Sequence, residues 1–387
     1  MTAEERISRL TLEEPMPPPA EGVVVRSSRV ERPSKSVSLR DVASAASVSV
    51  ATVSMVLNNN PRISRATHAR VQRVMDKLGY QPNRLAQSLS SKYTNVLAVL
   101  IPDVRHGFAD AYFGELISGI ADRANRLGQK ILLEQAKPAF IAGRKHLELY
   151  DRRYVDGCLL LGTNDNQAYL RDFSPEGYPA LIVDNRPFAI DPVSAHIDHV
   201  MCDYESGAVQ AMNYLQQLGH RQIGLITAAP EITTARRVRE IYEQRLELAG
   251  MTPRPTLVED GQFTQEGGAE AARRLLERHP DTTAIVAGND KMAIGAMHMI
   301  YRMSLSVPRD ISIVGFDDLP HAAYVNPALT TIHLPLYQVG ALAVDRLLER
   351  IRGRTEPVRD VVPTHLVVRE STAMSRSALR DQPDAAN

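Results

Sequence analysis

Between residues 38 and 90 the apolar positions recur at helical spacing in three short stretches. Leu39, Val42, Ala43 and Ala46 fall at i, i+3, i+4 and i+7, one face of a helix. Ser47-Val48-Ser49 makes a turn, and Ser49 suits an N-cap, its hydroxyl accepting the backbone N–H of Ala51 or Thr52. Val53, Val56 and Leu57 form a second buried stripe. A third helix is expected after Ser64, with Val71, Val74, Met75 and Leu78 on one side and Gly79 as its C-terminal stop. Asn83 suits the cap of a fourth helix over 84–90, too short to be stable alone.

From residue 93 the pattern changes. Short apolar runs at 96–101, 130–133, 157–161, 180–183, 223–227, 284–287 and 311–316 read as strands. Helical stretches at 112–127, 205–218, 264–278, 290–303 and 336–352 lie between them. Such alternation predicts parallel sheets covered on both faces, and the number of strands predicts two lobes. Leu127-Gly128 before one strand and Leu218-Gly219-His220 before another suggest two related halves. His220 and His279 fall at helix C-termini, where a cation complements the dipole.

Composition adds a boundary at each end. The 387 residues are 44% hydrophobic and 23% charged, ordinary for a globular chain of two or three domains. Residues 1–36, rich in Pro, Glu and Ser, read as a disordered arm without the apolar core of a secretory signal. Residues 373–387 read as a disordered tail. No apolar run approaches the length of a membrane span, and a cytoplasmic location is expected. Cys158 and Cys202 have no metal-ligand or CxxC neighbours and read as reduced core thiols.

Charge changes the picture most. The chain balances 45 Lys/Arg against 45 Asp/Glu, yet residues 29–92 hold 11 against 3. A basic head on a mildly acidic body predicts contact with a polyanion. Two helices joined by a short turn form a helix-turn-helix, which places the start of its second helix in the DNA major groove. The exposed side of that helix is Val50, Ala51, Thr52, Ser54 and Met55. Ser49, Thr52, Ser54 and Asn58 suit phosphate oxygens, and Val50 and Ala51 suit thymine methyls. Arg62, Ser64, Thr67 and Tyr80 complete the DNA-contact candidates within the helix-turn-helix. A helix pair that merely packs is the competing reading, and the local charge weighs against it.

Three segments carry a family resemblance. Val37-Ser38-Leu39-Arg40-Asp41-Val42-Ala43, Val48-Ser49-Val50-Ala51-Thr52-Val53-Ser54 and Leu78-Gly79-Tyr80-Gln81-Pro82-Asn83-Arg84-Leu85-Ala86 resemble the head of the lactose-repressor (LacI/GalR) family of transcription regulators. The resemblance implies that the fourth helix is a hinge folding on double-stranded operator DNA, with Leu89 as a wedge in the minor groove. An apolar wedge opens a base step and bends the duplex. Asn83 would cap this hinge, Ala86 would allow close pairing with a second copy, and Gln87 joins the contact set. Two departures stand out. Met55 occupies a position where the family usually carries a guanine-reading arginine, and Ser47 one where a turn glycine is common.

The resemblance continues to about Thr372. Asp203-Tyr204-Glu205-Ser206-Gly207-Ala208, Gly288-Asn289-Asp290-Lys291-Met292-Ala293-Ile294-Gly295, Ile311-Ser312-Ile313-Val314-Gly315-Phe316-Asp317-Asp318 and Pro327-Ala328-Leu329-Thr330-Thr331-Ile332 match family signatures. The implied fold is an N-terminal all-α head plus an α/β body of two parallel-sheet lobes, periplasmic-binding-protein-like, with a small-molecule effector between them. Asp103, Asp184, Asn289 and Asp317 follow strands and are effector candidates, each equally suited to cap the next helix. Tyr112 and Phe113 sit where an aromatic pair lines the family's pocket, or pack the core at helical spacing. The family's effector arginine falls at Val238, followed by Ile241 in place of glycine. Either Arg236, Arg237 or Arg239 substitutes through a local shift, with Arg237 the first candidate, or the ligand lacks that anchor and is unusual for the family.

The expected organisation is an arm (1–36), a helix-turn-helix head (37–81), a hinge and linker (82–92), and a two-lobed body (93–372). Lobe 1 takes 93–203 and 334–362, and lobe 2 takes 204–333 and 363–372. No metal cluster, phosphate loop or nucleophile elbow is evident, so an enzyme is disfavoured and no cofactor or metal is expected. A transport-type solute-binding protein fits the body but not the head. The expected function is a homodimeric, effector-controlled repressor, probing sugars or their derivatives. The tail carries no leucine heptad, which favours a dimer over a tetramer.

Overall fold

The structure, a computed structural model, describes residues 37–57, 60–80, 93–104, 107–163, 167–173, 177–185, 197–376 and 378. The chain divides into two units, 1–90 and 91–387. The expected arm and hinge lie outside the described residues, as do Asn58, Asn83, Ala86, Gln87 and Leu89.

The described residues of the first unit form three helices around one small core. Helix α1 (Leu39–Ala45) opens on a reciprocal cap: Ser38 Oγ accepts the Asp41 N–H at 3.3 Å, and Asp41 Oδ2 accepts the Ser38 N–H at 2.8 Å. The chain bends by 105° into α2 (Val50–Leu57), within the range of a helix-turn-helix. Ser47 makes that bend at φ 51°. This is the left-handed region, which costs a residue with a Cβ roughly 1–2 kcal/mol and glycine almost nothing. Helix α3 (Arg65–Leu78) starts on Ser64 and stops on Gly79 at φ 60°. Val42, Ala43, Ala46, Val53, Val56, Val71 and Met75 meet in the core. Leu78 does not join them. It sits in the last turn and is 37% exposed.

The second unit holds two sheets. One comprises β1 (Val96–Pro102), β2 (Lys130–Ala136), β3 (Gly157–Leu161), β4 (Ala180–Val183), β5 (Asp198–Cys202) and β11 (Arg359–Val362), in the order β11-β5-β4-β3-β1-β2. The other comprises β6 (Ile223–Thr227), β7 (Val258–Asp260), β8 (Ala284–Ala287), β9 (Ser312–Asp317), β10 (Thr330–His333) and β12 (His365–Val367), in the order β12-β10-β9-β8-β6-β7. Pairing is parallel throughout except between β10 and β12. Apart from its last strand, each sheet has the order 2-1-3-4-5, whose reversal point opens a crevice beyond the strand C-termini.

Helices α4 (Ala111–Arg126), α5 (Pro138–Ala142), α6 (Lys145–Asp151) and α11 (Leu336–Ile351) belong to lobe 1. Helices α7 (Tyr204–Gln217), α8 (Thr233–Leu248), α9 (Gln265–Arg278) and α10 (Asp290–Arg302) belong to lobe 2. Two helix pairs touch through backbone. A Cβ at Gly119 or Gly340 would collide with a carbonyl across the α4–α11 contact, and one at Gly268 or Gly295 would do so across α9–α10. The chain passes between sheets three times: after β5, after β10, and between β11 and β12 through Pro363 and Thr364 alone.

Several expectations change. Strand β5 was not expected because it begins Asp198-His199, both buried. Asp198 accepts from Arg350 at 2.6 and 2.9 Å, from Arg354 at 2.7 Å and from the Val358 N–H at 2.7 Å. Helix α8 buries Thr233, Ala235, Val238, Tyr242 and Leu246, a stripe that the many charges along it obscure in the sequence. The tail expected to be disordered from 373 is held through residue 376. Ser312 Oγ accepts the Ala373 N–H at 3.0 Å, Ser375 Oγ donates to the Gly219 carbonyl at 2.8 Å, and Arg376 pairs with Asp310. His220 is buried and bridges Thr283 Oγ1 at 2.9 Å and the Ala373 carbonyl at 3.0 Å. Burial lowers its pKa, so it is a neutral bracket for the tail and not a helix-capping cation.

Candidate functional site

In the head, helix α2 begins on Ser49, whose Oγ accepts the Thr52 N–H at 3.0 Å and shares a hydrogen with Thr52 Oγ1 at 2.8 Å. The start of α3 repeats the device: Ser64 Oγ accepts the Thr67 N–H at 3.2 Å and lies 2.9 Å from Thr67 Oγ1. Val53 and Val56 turn inward. Val50 and Ala51 stand exposed beside Thr52, Ser54 and Met55, which are half-buried. Arg40, Arg62, Arg65, Arg70, Arg73 and Lys77 are all exposed, and none of them is on α2. Tyr80 is half-buried and packs against the head core, its N–H donating to the Met75 carbonyl at 2.9 Å.

In the body, the candidates gather at the strand C-termini, and they divide by how well the protein already satisfies them. Asp184 ends β4 at φ 55° and is buried. Its Oδ2 accepts the hydroxyls of Tyr112 and Tyr204, each at 2.6 Å, and its Oδ1 accepts the Cys202 N–H at 2.8 Å. Burial pushes its carboxyl pKa up, and the tyrosine bonds oppose that. The same burial, with Asp184 beside them, pushes both phenols well up. Phe113 turns into the lobe 1 core, edge-on to Tyr112 at 5.1 Å. Asn289 caps α10, its Oδ1 accepting the Met292 N–H at 2.8 Å. Asp103 is exposed just past β1. Arg237 pairs with Glu205 at 3.0 Å and with Glu240.

Asp317 is different. It ends β9 at φ 111° and is 5% exposed, yet its carboxylate accepts no hydrogen bond among the described residues. Burial pushes its pKa well up, and the carboxylates of Asp290, Asp184 and Asp110 add to the shift while Lys291 opposes it. Asp290, its buried neighbour, accepts the Leu319 N–H at 2.8 Å and the Thr331 hydroxyl at 2.6 Å, and burial raises its pKa too. Lys291 on α10 reaches across to Asp110 at 2.5 Å, joining lobe 2 to the N-cap of α4 in lobe 1.

Sequence reasoning did not single out Asp110, Tyr204, Asp290 or Lys291. Three of them lie inside quoted motifs, and Asp110 is an N-cap signal one residue before α4. The family's arginine position, Val238, is buried in the core, with Ile241 packed against it. Arg239 pairs with Glu243 at 2.9 Å. Arg236 donates to the Pro230 carbonyl at 2.7 Å, in the loop beyond β6. Among the described residues there is no cluster of three metal-ligating side chains, and no single helix is long and apolar enough to cross a membrane.

Comparison with known proteins agrees with this geometry. Residues 38–83 match the model for bacterial regulatory proteins of the lacI family, and residues 212–372 match a periplasmic binding protein-like domain. Catabolite control protein A of Priestia megaterium is 32% identical over 343 residues, covering 87% of this chain and 99% of that protein. The transcriptional repressor CytR of Escherichia coli K12 is 30% identical over 329 residues, 84% of this chain and 93% of that one. The lac repressor dimer bound to operator and an anti-inducer superposes with a TM-score of 0.75 at 29% identity, covering 88% of this chain and all of that one. The regulator CelR in complex with cellobiose superposes at 0.68 and 31% identity, covering 87% and 99%. With a helix-turn-helix head and two parallel-sheet lobes, the chain belongs to the LacI family of bacterial transcription regulators and binds DNA.

Proposed function

We propose that this regulator is a cytoplasmic repressor that binds a near-palindromic operator as a homodimer. A small hydroxyl-rich ligand, a sugar or sugar derivative, binds between its lobes and sets operator affinity. The observation that carries this is Asp317: a buried carboxylate at a strand C-terminus with no donor among the described residues suits a ligand's hydroxyl or amine. The relatives support it, since CelR holds cellobiose and the lac repressor dimer holds operator. The neighbouring carboxylates, with Lys291 already paired to Asp110, favour an uncharged ligand over a phosphorylated one.

On this reading the arm, head, hinge and lobes keep the boundaries expected from the sequence. Ser49, Thr52, Ser64, Thr67 and Arg62 hold phosphates, and Leu89 wedges the minor groove. Asp317, Asn289, Tyr112 and Asp184 line or support the effector pocket. Coupling between effector and operator is expected at about 1–3 kcal/mol.

The test pairs a thermal-shift screen of sugars, sugar phosphates and nucleosides with a gel shift on the promoter beside the protein's own gene. A neutral sugar should raise the unfolding temperature and alter the gel shift. If no member of the panel moves either readout, the effector reading falls.

A further inference from the structure

Every side chain of α2 is uncharged, and none is an amide or a guanidinium: Val50, Ala51, Thr52, Val53, Ser54, Met55, Val56 and Leu57. Bidentate reading of guanine needs Arg or Lys, and bidentate reading of adenine needs Asn or Gln. The helix that enters the major groove in this fold has neither. Its hydroxyls are few, and the Thr52 hydroxyl is already engaged with that of the capping Ser49 at 2.8 Å.

What α2 does present is apolar. Val53 and Val56 fix the inward face at 0% and 2% exposure. Helical spacing then puts Ala51, Ser54 and Met55 on the opposite side, and Val50, on the flank in the first turn, is 41% exposed. The basic groups sit on neighbouring elements: Arg40 on α1, Arg62 before α3, and Arg65, Arg70, Arg73 and Lys77 on α3. Those suit phosphates, whose contacts carry affinity and position but no sequence information. The charged phosphate-binding groups thus sit off the helix that presents the apolar face.

A major-groove base edge offers one apolar group, the C5-methyl of thymine. We infer that α2 selects its half-site through thymine methyl groups packed on Val50, Ala51 and Met55, with no bidentate hydrogen bond from α2 to a base. This rests on the reading that the head docks α2 in the major groove of an operator.

The experiment starts from duplexes that the full chain enriches from a random library. Each thymine of the enriched half-site is replaced in turn by 2′-deoxyuridine, which keeps the hydrogen-bonding edge and removes only the methyl. Gel shifts at fixed salt should show about fourfold weaker binding at one or more positions, the ratio given by ~0.8 kcal/mol per buried methyl-sized group. Met55→Ala should erase the penalty at one of them, the one whose methyl packs on Met55. Met55→Arg should enrich guanine at that position. The native chain alone decides the main point. If every deoxyuridine leaves affinity unchanged, or if 7-deazaguanine at a half-site guanine costs more than any deoxyuridine, the inference is overturned while operator binding stands. If no sequence is enriched over the input, the operator reading fails with it.

Discussion

The two lobes repeat one strand order, yet they treat the carboxylate at the end of a central strand in opposite ways. In lobe 1, Asp184 at the end of β4 is saturated by two tyrosine hydroxyls and one backbone N–H. In lobe 2, Asp317 at the end of β9 is as deeply buried and has no donor among the described residues. Both raise the same electrostatic cost, because burial disfavours the charged form. Only one of them meets that cost with the protein's own groups. On the proposed reading, lobe 1 is scaffold at this point and lobe 2 supplies the carboxylate that meets the ligand.

Substitution of Asp317 should break this contrast most sharply. Asp317→Ala should raise the effector midpoint about 10- to 100-fold, as loss of ~1.5–3 kcal/mol of charge-assisted hydrogen bonding implies. Operator affinity without effector should not change, and gel shifts across an effector titration measure both. An unchanged midpoint would remove Asp317 from the pocket.

Asp184→Ala should act on stability instead. It leaves two tyrosine hydroxyls and an N–H without their acceptor and should cost about 1–3 kcal/mol, read by denaturant unfolding. Tyr204→Phe removes one donor of the three and should cost about 1 kcal/mol. An effector midpoint that shifts without any loss of stability would make these residues ligand contacts, and the contrast between lobes would dissolve.

The pH dependence sharpens the same point. Asp317, Asp290 and Asp184 hold their protons to higher pH when folded than when unfolded. The folded state therefore binds more protons above about pH 4, and their contribution to stability declines as pH rises through the raised values. Asp317→Asn should flatten that decline in a series of melting curves, and a slope identical to the native one would show that Asp317 is solvated. Asp198, whose pKa is lowered mainly by Arg350 and Arg354 against its burial, acts in the opposite direction, and its contribution is lost as pH falls. The smallest effect belongs to the bridge between lobes. Lys291→Met should change effector affinity by no more than about 1 kcal/mol, since both partners are partly exposed.

The legible parts of the chain were those in which one local pattern decides. Strands β3, β4, β6 and β8 are uninterrupted apolar runs, and their bounds follow from the sequence to the residue. The head was legible because its signals are local: the Ser49 cap on Thr52 and the helix start after Ser64, where Ser64 caps Thr67. Strand β5 was hidden because its buried Asp198 is neutralised by arginines more than 150 positions away. The candidate site was half legible for the same reason. A strand end marks where Asp184 and Asp317 stand, but not what meets them. Asp184's donors come from Tyr112, 72 positions earlier, and Tyr204, 20 positions later. Nothing local separates a saturated carboxylate from an open one.

The passage between β11 and β12 restricts how the halves can move. Pro363 and Thr364 alone join the two strands, and two residues span only about 7 Å even when fully extended. Two of the three passages are also stitched together: Thr364 Oγ1 donates to the Asp203 carbonyl at 3.0 Å, and the Asp203 N–H donates to the Val362 carbonyl at 2.9 Å. A short, cross-tied strap cannot slide or stretch. Any relative motion of the lobes would therefore be confined to a swing about this point. A small turn there becomes a large arc at the rim, and the lobe edge farthest from Thr364 travels most.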